Sequence, residues 1–330
     1  MARILRKLSV LSVLLLALAL AVPALAQGGD PLCNGLSDAD CQLLLSVNSA
    51  MTGVSSFSTP AWAIDLTLTD GTQEFKFNAS GSGAFQFSPG GSQLLVHLMI
   101  DQASLVSPEV SQAGSAEIIV TQDMAYIFYN GEWYGTEVTE EDLSGLGDFS
   151  SLGGMMGSAG GIGGAAAAAG IDLTGVLTTA RGADEQVGGQ PTATFTTDVN
   201  VGQLLIALLS SPMIGQALGM AGDELGMEQM TPEDIQMMGM FLTPLLGQTK
   251  LSVSQWVGLN DNLLHKLALN MIIDLQLGMF DPEVPPITGN ISFTTEIGAF
   301  NEPVSVSVPT SYRPIEELEA QFEELSALMG

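Results

Sequence analysis

Few residues in this chain could do covalent chemistry. It has two histidines, His97 and His265, and two cysteines, Cys33 and Cys41. An imidazole acts as a general base only beside a nucleophile, a metal or an orienting carboxylate. His97 stands in an alternating run with Leu95 and Met99 on its face, and His265 stands in the alternating run that starts at Leu263. Both read as structural residues. No Gly-x-Ser-x-Gly elbow, His-Glu-x-x-His run or phosphate-loop glycine pattern is present. Carboxylates are plentiful, but a two-carboxylate hydrolase needs a positioned pair, and abundance does not point to one. The reading is non-enzymatic, with no catalytic residue, no cofactor and no metal site.

Soft and acidic clusters give two further candidates. Met213, Met220, Met227, Met230, Met237, Met238 and Met240 crowd one segment. Thioethers suit Cu(I), so copper handling is one reading. A flexible apolar surface that adapts to varied ligands is the other, and it is favoured because the segment has no His or Cys. The acidic runs at 137–142, 223–228 and 316–324 lack the spaced Asp/Asn loop and central Gly of a calcium site. They read as solvated acidic faces. Asn78-Ala79-Ser80 and Asn290-Ile291-Ser292 match the glycosylation sequon, but both fall in expected strands.

The elements that would position these residues follow from periodicity. Ser37-Asp38-Ala39-Asp40 starts a helix that carries Leu43, Leu44, Val47, Ala50 and Met51 at helical spacing. From Trp62 the period becomes two, and Asp70-Gly71 turns the chain into a strand with Phe75 and Phe77. Separate strands are expected around Phe85 and Phe87, from Leu94 to Ile100, at 118–121 and at 124–129, with Asn130-Gly131 leading into 132–138. Residues 145–170 hold many glycines and alanines and read as a flexible segment. A hairpin over 183–199 turns at Gly188-Gly189. Residues 201–247 read as a Met-rich helical insert whose second part starts at Thr231-Pro232. Strands resume at 251–257 and run from Leu263 to Leu277 with every odd position apolar except His265. Two more are expected at 287–297 and 304–308, before a last amphipathic helix through Ile315, Leu318 and Phe322. A long meander with its helices grouped in insertions is an α+β pattern, not alternating βαβ.

Composition narrows the function classes. The chain has 330 residues, 36 acidic and 8 basic side chains and a net charge of −28, yet 46% of it is apolar. So apolar a chain is not a disordered acidic tail. So few bases exclude a nucleic-acid partner. Arg3, Arg6 and Lys7 precede an apolar run from Leu8 to Val22, and Ala24-Leu25-Ala26 fits the small-x-small cleavage rule. Residues 1–26 therefore read as a secretory signal peptide, with cleavage after Ala26 and residues 27–330 left as a single secreted, extracytoplasmic domain. No later stretch is long enough to span a bilayer. An oxidising compartment and an even cysteine count favour a Cys33–Cys41 disulfide.

Several landmarks recur in order: Asp123-Met124-Ala125-Tyr126-Ile127, Gly131-Glu132-Trp133-Tyr134, Val187-Gly188-Gly189-Gln190-Pro191-Thr192, Trp256-Val257-Gly258 with Asp261, and Phe300-Asn301-Glu302-Pro303-Val304. Over about residues 40–312 this order resembles the LppX/LprG-like branch of the LolA-type lipoprotein-carrier superfamily. The resemblance implies a strongly curved antiparallel half-barrel with helices packed on its concave side, a hydrophobic cavity for acyl chains, and binding without catalysis. The lipidated cysteine that tethers mycobacterial members has no counterpart here. The expected lining is Trp62, Ile64, Leu66, Leu68, Phe75, Phe77, Leu267, Leu269, Met271 and Ile273 on the sheet. Met237, Met238, Phe241 and Leu242 would form the adaptable helical side. The expected partner is a lipid or another apolar small molecule. The alternative is an envelope protein partner docked on a Met-rich surface over a filled core.

Overall fold

The structure is a computed structural model that describes residues 31–87, 94–108, 111–138, 171, 173, 175–209, 246, 248–276, 278 and 285–318. Among these residues, strands β1 (Ser56–Thr69), β2 (Glu74–Phe87), β3 (Leu94–Val106), β4 (Ser111–Val120), β5 (Met124–Tyr129) and β6 (Glu132–Glu137) form a meander. It is followed by β7 (Leu177–Val187), β8 (Gln190–Val199), β9 (Lys250–Gly258), β10 (Leu264–Leu275), β11 (Ile287–Glu296) and the two-residue β12 (Arg313–Pro314). All lie in one open sheet of order β12-β6-β5-β4-β3-β2-β1-β11-β10-β9-β8-β7. Every ladder is antiparallel except the short β12–β6 pair. The expected signal peptide, the 145–170 segment and most of the expected Met-rich insert lie outside the described residues.

The hairpin turns sit where the sequence marks them. Asn130 and Gly131 have φ of 51° and 86°, and Gly188 and Gly189 have 58° and 82°. Two positive φ values are what a type I′ turn requires. At Asp70 the backbone N–H groups of Gln73 and Thr72 donate to the side chain, which holds the carboxyl below its usual range.

Three expectations are corrected. The strands expected around Phe75 and Phe85 are one strand, β2; at Ser80-Gly81 the extra residue lies on the facing β3, between Ile100 and Gln102, and β2 runs through unbroken. Residues 304–308 form no strand; Val304 N–H donates to the Gln86 side chain at 3.0 Å, and the segment has no ladder partner. The odd-numbered apolar face of β10 begins only at Leu267. A bulge between Leu264 and Lys266 turns Leu264 into the core and takes His265 off that face.

The bulges explain the curvature. Irregularities fall between Thr59 and Trp62 in the β1–β2 ladder, between Ser80 and Gly81 in β2–β3, and between Ile100 and Ala103 in β3–β4. Trp62 pairs with Gly81 and Gly81 with Ile100, so the three form one line across the strands. Each bulge bends its strand, and a line of them creases the sheet. A Cβ on Gly81 would sit 1.8 Å from the Met99 carbonyl oxygen, so this crossing needs glycine.

Helix α1 (Asp38–Met51) is capped by Ser37, whose Oγ accepts from Asp40 N–H, and Asp38 and Asp40 suit its positive N-terminal end. It turns Leu44, Val47 and Met51 onto Phe57, Phe195, Val257 and Leu264. The Cys33–Cys41 disulfide and a 2.8 Å Asp40–Arg181 ion pair fasten α1 to the chain before it and to edge strand β7. Helix α2 (Val201–Leu209) follows Asn200, whose Oδ1 accepts from Gln203 N–H, and it adds Leu204 to the same core.

Candidate functional site

Strand register decides which apolar side chains can meet. Trp62 lies opposite Thr295, then Leu267, Gln255 and Phe195 on successive strands. The next rows are Ile64–Phe293–Leu269–Val253 and Leu66–Ile291–Met271–Leu251–Val199–Leu177. The last is Leu68–Gly289–Ile273. Phe75 faces Leu68 and Phe77 faces Leu66 across the β1–β2 ladder. Residues directly opposite share a face, so all ten sheet residues expected to line a cavity lie on one side. It is also the side that carries α1 and α2, since Phe195, Val199 and Leu177 belong to the core cluster. Met237, Met238, Phe241 and Leu242 lie outside the described residues.

The ten are not equally enclosed. Met271 and Ile273 are buried, and the other eight are half-buried. Close by, Val257, Leu264 and Ala193 are wholly enclosed. The apolar face thus divides into a closed core near α1 and a half-open stripe over β2, β1, β11, β10 and β9. From Trp62 to Leu68 the stripe runs about 20 Å, at ~3.4 Å per residue. Sequence reasoning missed Ile291, Phe293, Leu251 and Val253, which complete its rows. Their alternation was visible, but their place depends on which strands pair.

Two cavities open beside the sheet. One of about 600 Å³ lies at the start of α2 and is lined by Val176, Thr178, Asp198, Val199, Asn200 and Leu251, among others. Val199 and Leu251 are also members of the Leu66 row, so this cavity abuts the stripe. The other, about 320 Å³, is bounded by Pro60, Asp261, His265, Glu296, Phe300 and Glu302, among others.

Directly behind the stripe the opposite face is polar, whereas toward β4 and β5 it carries buried Ile119 and Tyr126. Along one row, Ser104, Asn78, Asp65, Ser292, Asn270 and Ser252 stand side by side. Both sequon asparagines, Asn78 and Asn290, are exposed on this side.

The titratable groups make pairs. His97 Nε2 lies 2.7 Å from Glu117 Oε1 on the face opposite the stripe, beside buried Ile119. Buried His265 meets Asp261 Oδ2 at 3.0 Å and stands edge-on to Phe300 at 5.4 Å. At the β6 edge, Arg313 donates to Glu132 at 2.6 Å and Tyr134 Oη donates at 3.1 Å. Chiefly the Arg313 bond, then the Tyr134 bond, holds the Glu132 carboxyl below its usual range. Among the described residues no group of three His, Cys, Asp or Glu side chains is placed to hold a metal, and no helix is long and apolar enough to cross a membrane.

No family model and no curated protein matches the chain. Among solved structures it is similar to LprF from Mycobacterium bovis, at 14% identity and a TM-score of 0.37, over 83% of this chain and 99% of that one. It is also similar to the Mycobacterium tuberculosis lipoprotein LppX, at 12% identity and a TM-score of 0.33, over 82% of this chain and 100% of that one.

Proposed function

We propose that this chain is a non-enzymatic binding or carrier protein for a lipid or similar apolar ligand, working outside the cytoplasm. The observation that carries the proposal is the half-open apolar stripe: ten expected residues and four unforeseen ones share the helix-bearing face of one sheet. A face meant only as core would be closed throughout, as it is around Val257 and Leu264. The mechanism is burial. Each acyl methylene moved from water onto the stripe contributes about 0.8 kcal/mol, so a long chain is held without any polar contact. The 201–247 segment, rich in Leu and Met, supplies the adaptable cover in this reading. A disulfide at Cys33–Cys41 and the leader-like first 26 residues support an extracytoplasmic site of action.

Native mass spectrometry of the gently purified chain tests the proposal. A bound mass that extracts into organic solvent is expected. A chain that purifies empty and fails to take up a fluorescent fatty acid refutes it.

A further inference from the structure

One side chain on the apolar face has no structural reason to be polar. Gln255 is 2% exposed, and its Oε1 is buried with no hydrogen-bond partner. Its register neighbours are Phe195 on β8 and Leu267 on β10. Val253 and Val257 stand two residues away on its own strand. None of these four side chains can bond an amide. The nearby hydroxyls are engaged elsewhere: Thr179 and Thr197 bond each other at 3.0 Å, and Thr295 Oγ1 donates to the Glu296 carbonyl. A buried amide atom without a partner costs folding free energy, and an apolar side chain of the same shape would remove that cost.

Its location says what the amide is for. On one side of Gln255 lie the closed positions Val257, Ala193 and Leu264; on the other lie half-buried Val253 and Leu269. Gln255 therefore stands where the closed core ends and the stripe begins. A chain lying along the stripe would end against this amide.

We propose that Gln255 is a specificity residue for a lipid bearing a hydroxyl group on its buried portion, an inference that rests on the lipid-binding reading above. A hydroxyl fits because it both donates and accepts. It can give its hydrogen to Oε1 and take one from the amide nitrogen. A plain hydrocarbon leaves the amide unsatisfied, and a site built for a hydrogen bond discriminates against the analogue that lacks it.

The test compares stearic acid with a panel of hydroxystearic acids whose hydroxyl is moved along the chain, each displacing a fluorescent fatty acid from the full chain. At least one member is expected to bind about tenfold more tightly than stearic acid. In Gln255→Met, which removes both amide atoms at similar volume, the ratio should fall to about one. The ligand-free unfolding midpoint of that variant should equal or exceed the parent's. Equal binding of the whole panel and stearic acid overturns the inference and leaves the lipid-binding reading standing. A preference that survives in Gln255→Met, or a variant with a lowered midpoint, overturns the role of Gln255. If no fatty acid displaces the probe or binds, the lipid-binding reading itself fails.

Discussion

Leu269→Asn probes the stripe at its middle. Leu269 lies between Phe293 on β11 and Val253 on β9, with Leu267 and Met271 two residues away on its own strand. Asn is close to Leu in shape, and a strand substitution leaves the ladder bonds in place. In the ligand-free chain the site is half-buried, so the new amide keeps contact with water. Under a bound acyl chain it would lose that water and find only apolar neighbours. Burying an amide without a partner costs about 1–3 kcal/mol; at ~2 kcal/mol the Kd rises about 30-fold. The matched control is Ala268→Asn. Ala268 is the preceding residue, so it points to the other face, where its register neighbours are Thr294 and Ser254. Leu269→Asn also gives up the apolar contacts of a half-buried leucine, so its urea midpoint should fall below that of Ala268→Asn, and affinities are compared where both variants are folded. Displacement of a fluorescent fatty acid should separate them, with Leu269→Asn weakened and Ala268→Asn like the parent. Equal affinity in both variants, or equal loss in both, refutes the assignment of the ligand to this face.

Four further outcomes follow from the same geometry. Replacing Cys33 and Cys41 together by Ser opens a loop with a sequence separation of 8, and the chain-entropy relation gives a loss of about 2.5 kcal/mol, read as a urea midpoint shift of the oxidised parent against the variant. Asp40→Ala leaves Arg181, whose Nε already lacks a partner, with Nη1 unpaired as well; a loss of about 1–3 kcal/mol is expected, also by urea unfolding. The Glu132 carboxyl is held below its usual range chiefly by Arg313, so its contribution is complete above the ordinary glutamate range and fades as the pH falls through its lowered folded value. Amide exchange along β6 and at Arg313, corrected for intrinsic rates, should therefore be faster at about pH 3 than at about pH 6; unchanged protection would show that β12 is not held by this pair. Gly81→Ala should be far more damaging than Gly131→Ala. A Cβ at Gly81 meets backbone at 1.8 Å, whereas at Gly131 it meets nothing within 4 Å and costs only the ~1 kcal/mol of a positive φ; thermal unfolding of the two variants ranks them.

Period-two alternation made the stripe legible without any knowledge of strand order. Trp62, Ile64, Leu66 and Leu68 share a face because nothing irregular lies between them, and the same holds from Leu267 to Ile273. The alternation failed wherever one residue was added to a strand. Phe57 and Trp62 have opposite parity yet face the same way, because a bulge separates Thr59 from Trp62. In β2 no residue is added and Phe75 to Phe87 keep one parity; there it was the glycine at Gly81, read as a strand end, that hid the continuity. A bulge also moved His265 off the face its number suggested. A bulge has no composition of its own beyond an occasional glycine, so neither the crease nor the curvature could be read from the chain. The expected strand at 304–308 failed for another reason. Alternation there describes a chain lying along a surface with Val304 inward, and pairing needs a free edge that β1, flanked by β2 and β11, does not offer. Gln255 was legible in principle: in Leu251–Val257 it is the one polar residue on the apolar parity.

The two faces of the sheet also reconcile a charge of −28 with a chain 46% apolar. One face spends the apolar residues on a closed core and a half-open stripe. Behind the stripe the other is surfaced largely by short hydroxyl and amide side chains, with Asp65 and Asp198 among them. Solubility therefore needs few charges, and only 13% of residues carry one. Because 36 of those are acidic and only 8 basic, two copies repel as their stripes approach. The same excess repels anionic membrane surfaces. Acid character of this kind disfavours adventitious contact of the stripe with another copy or a bilayer, while an uncharged chain of methylenes feels no such barrier.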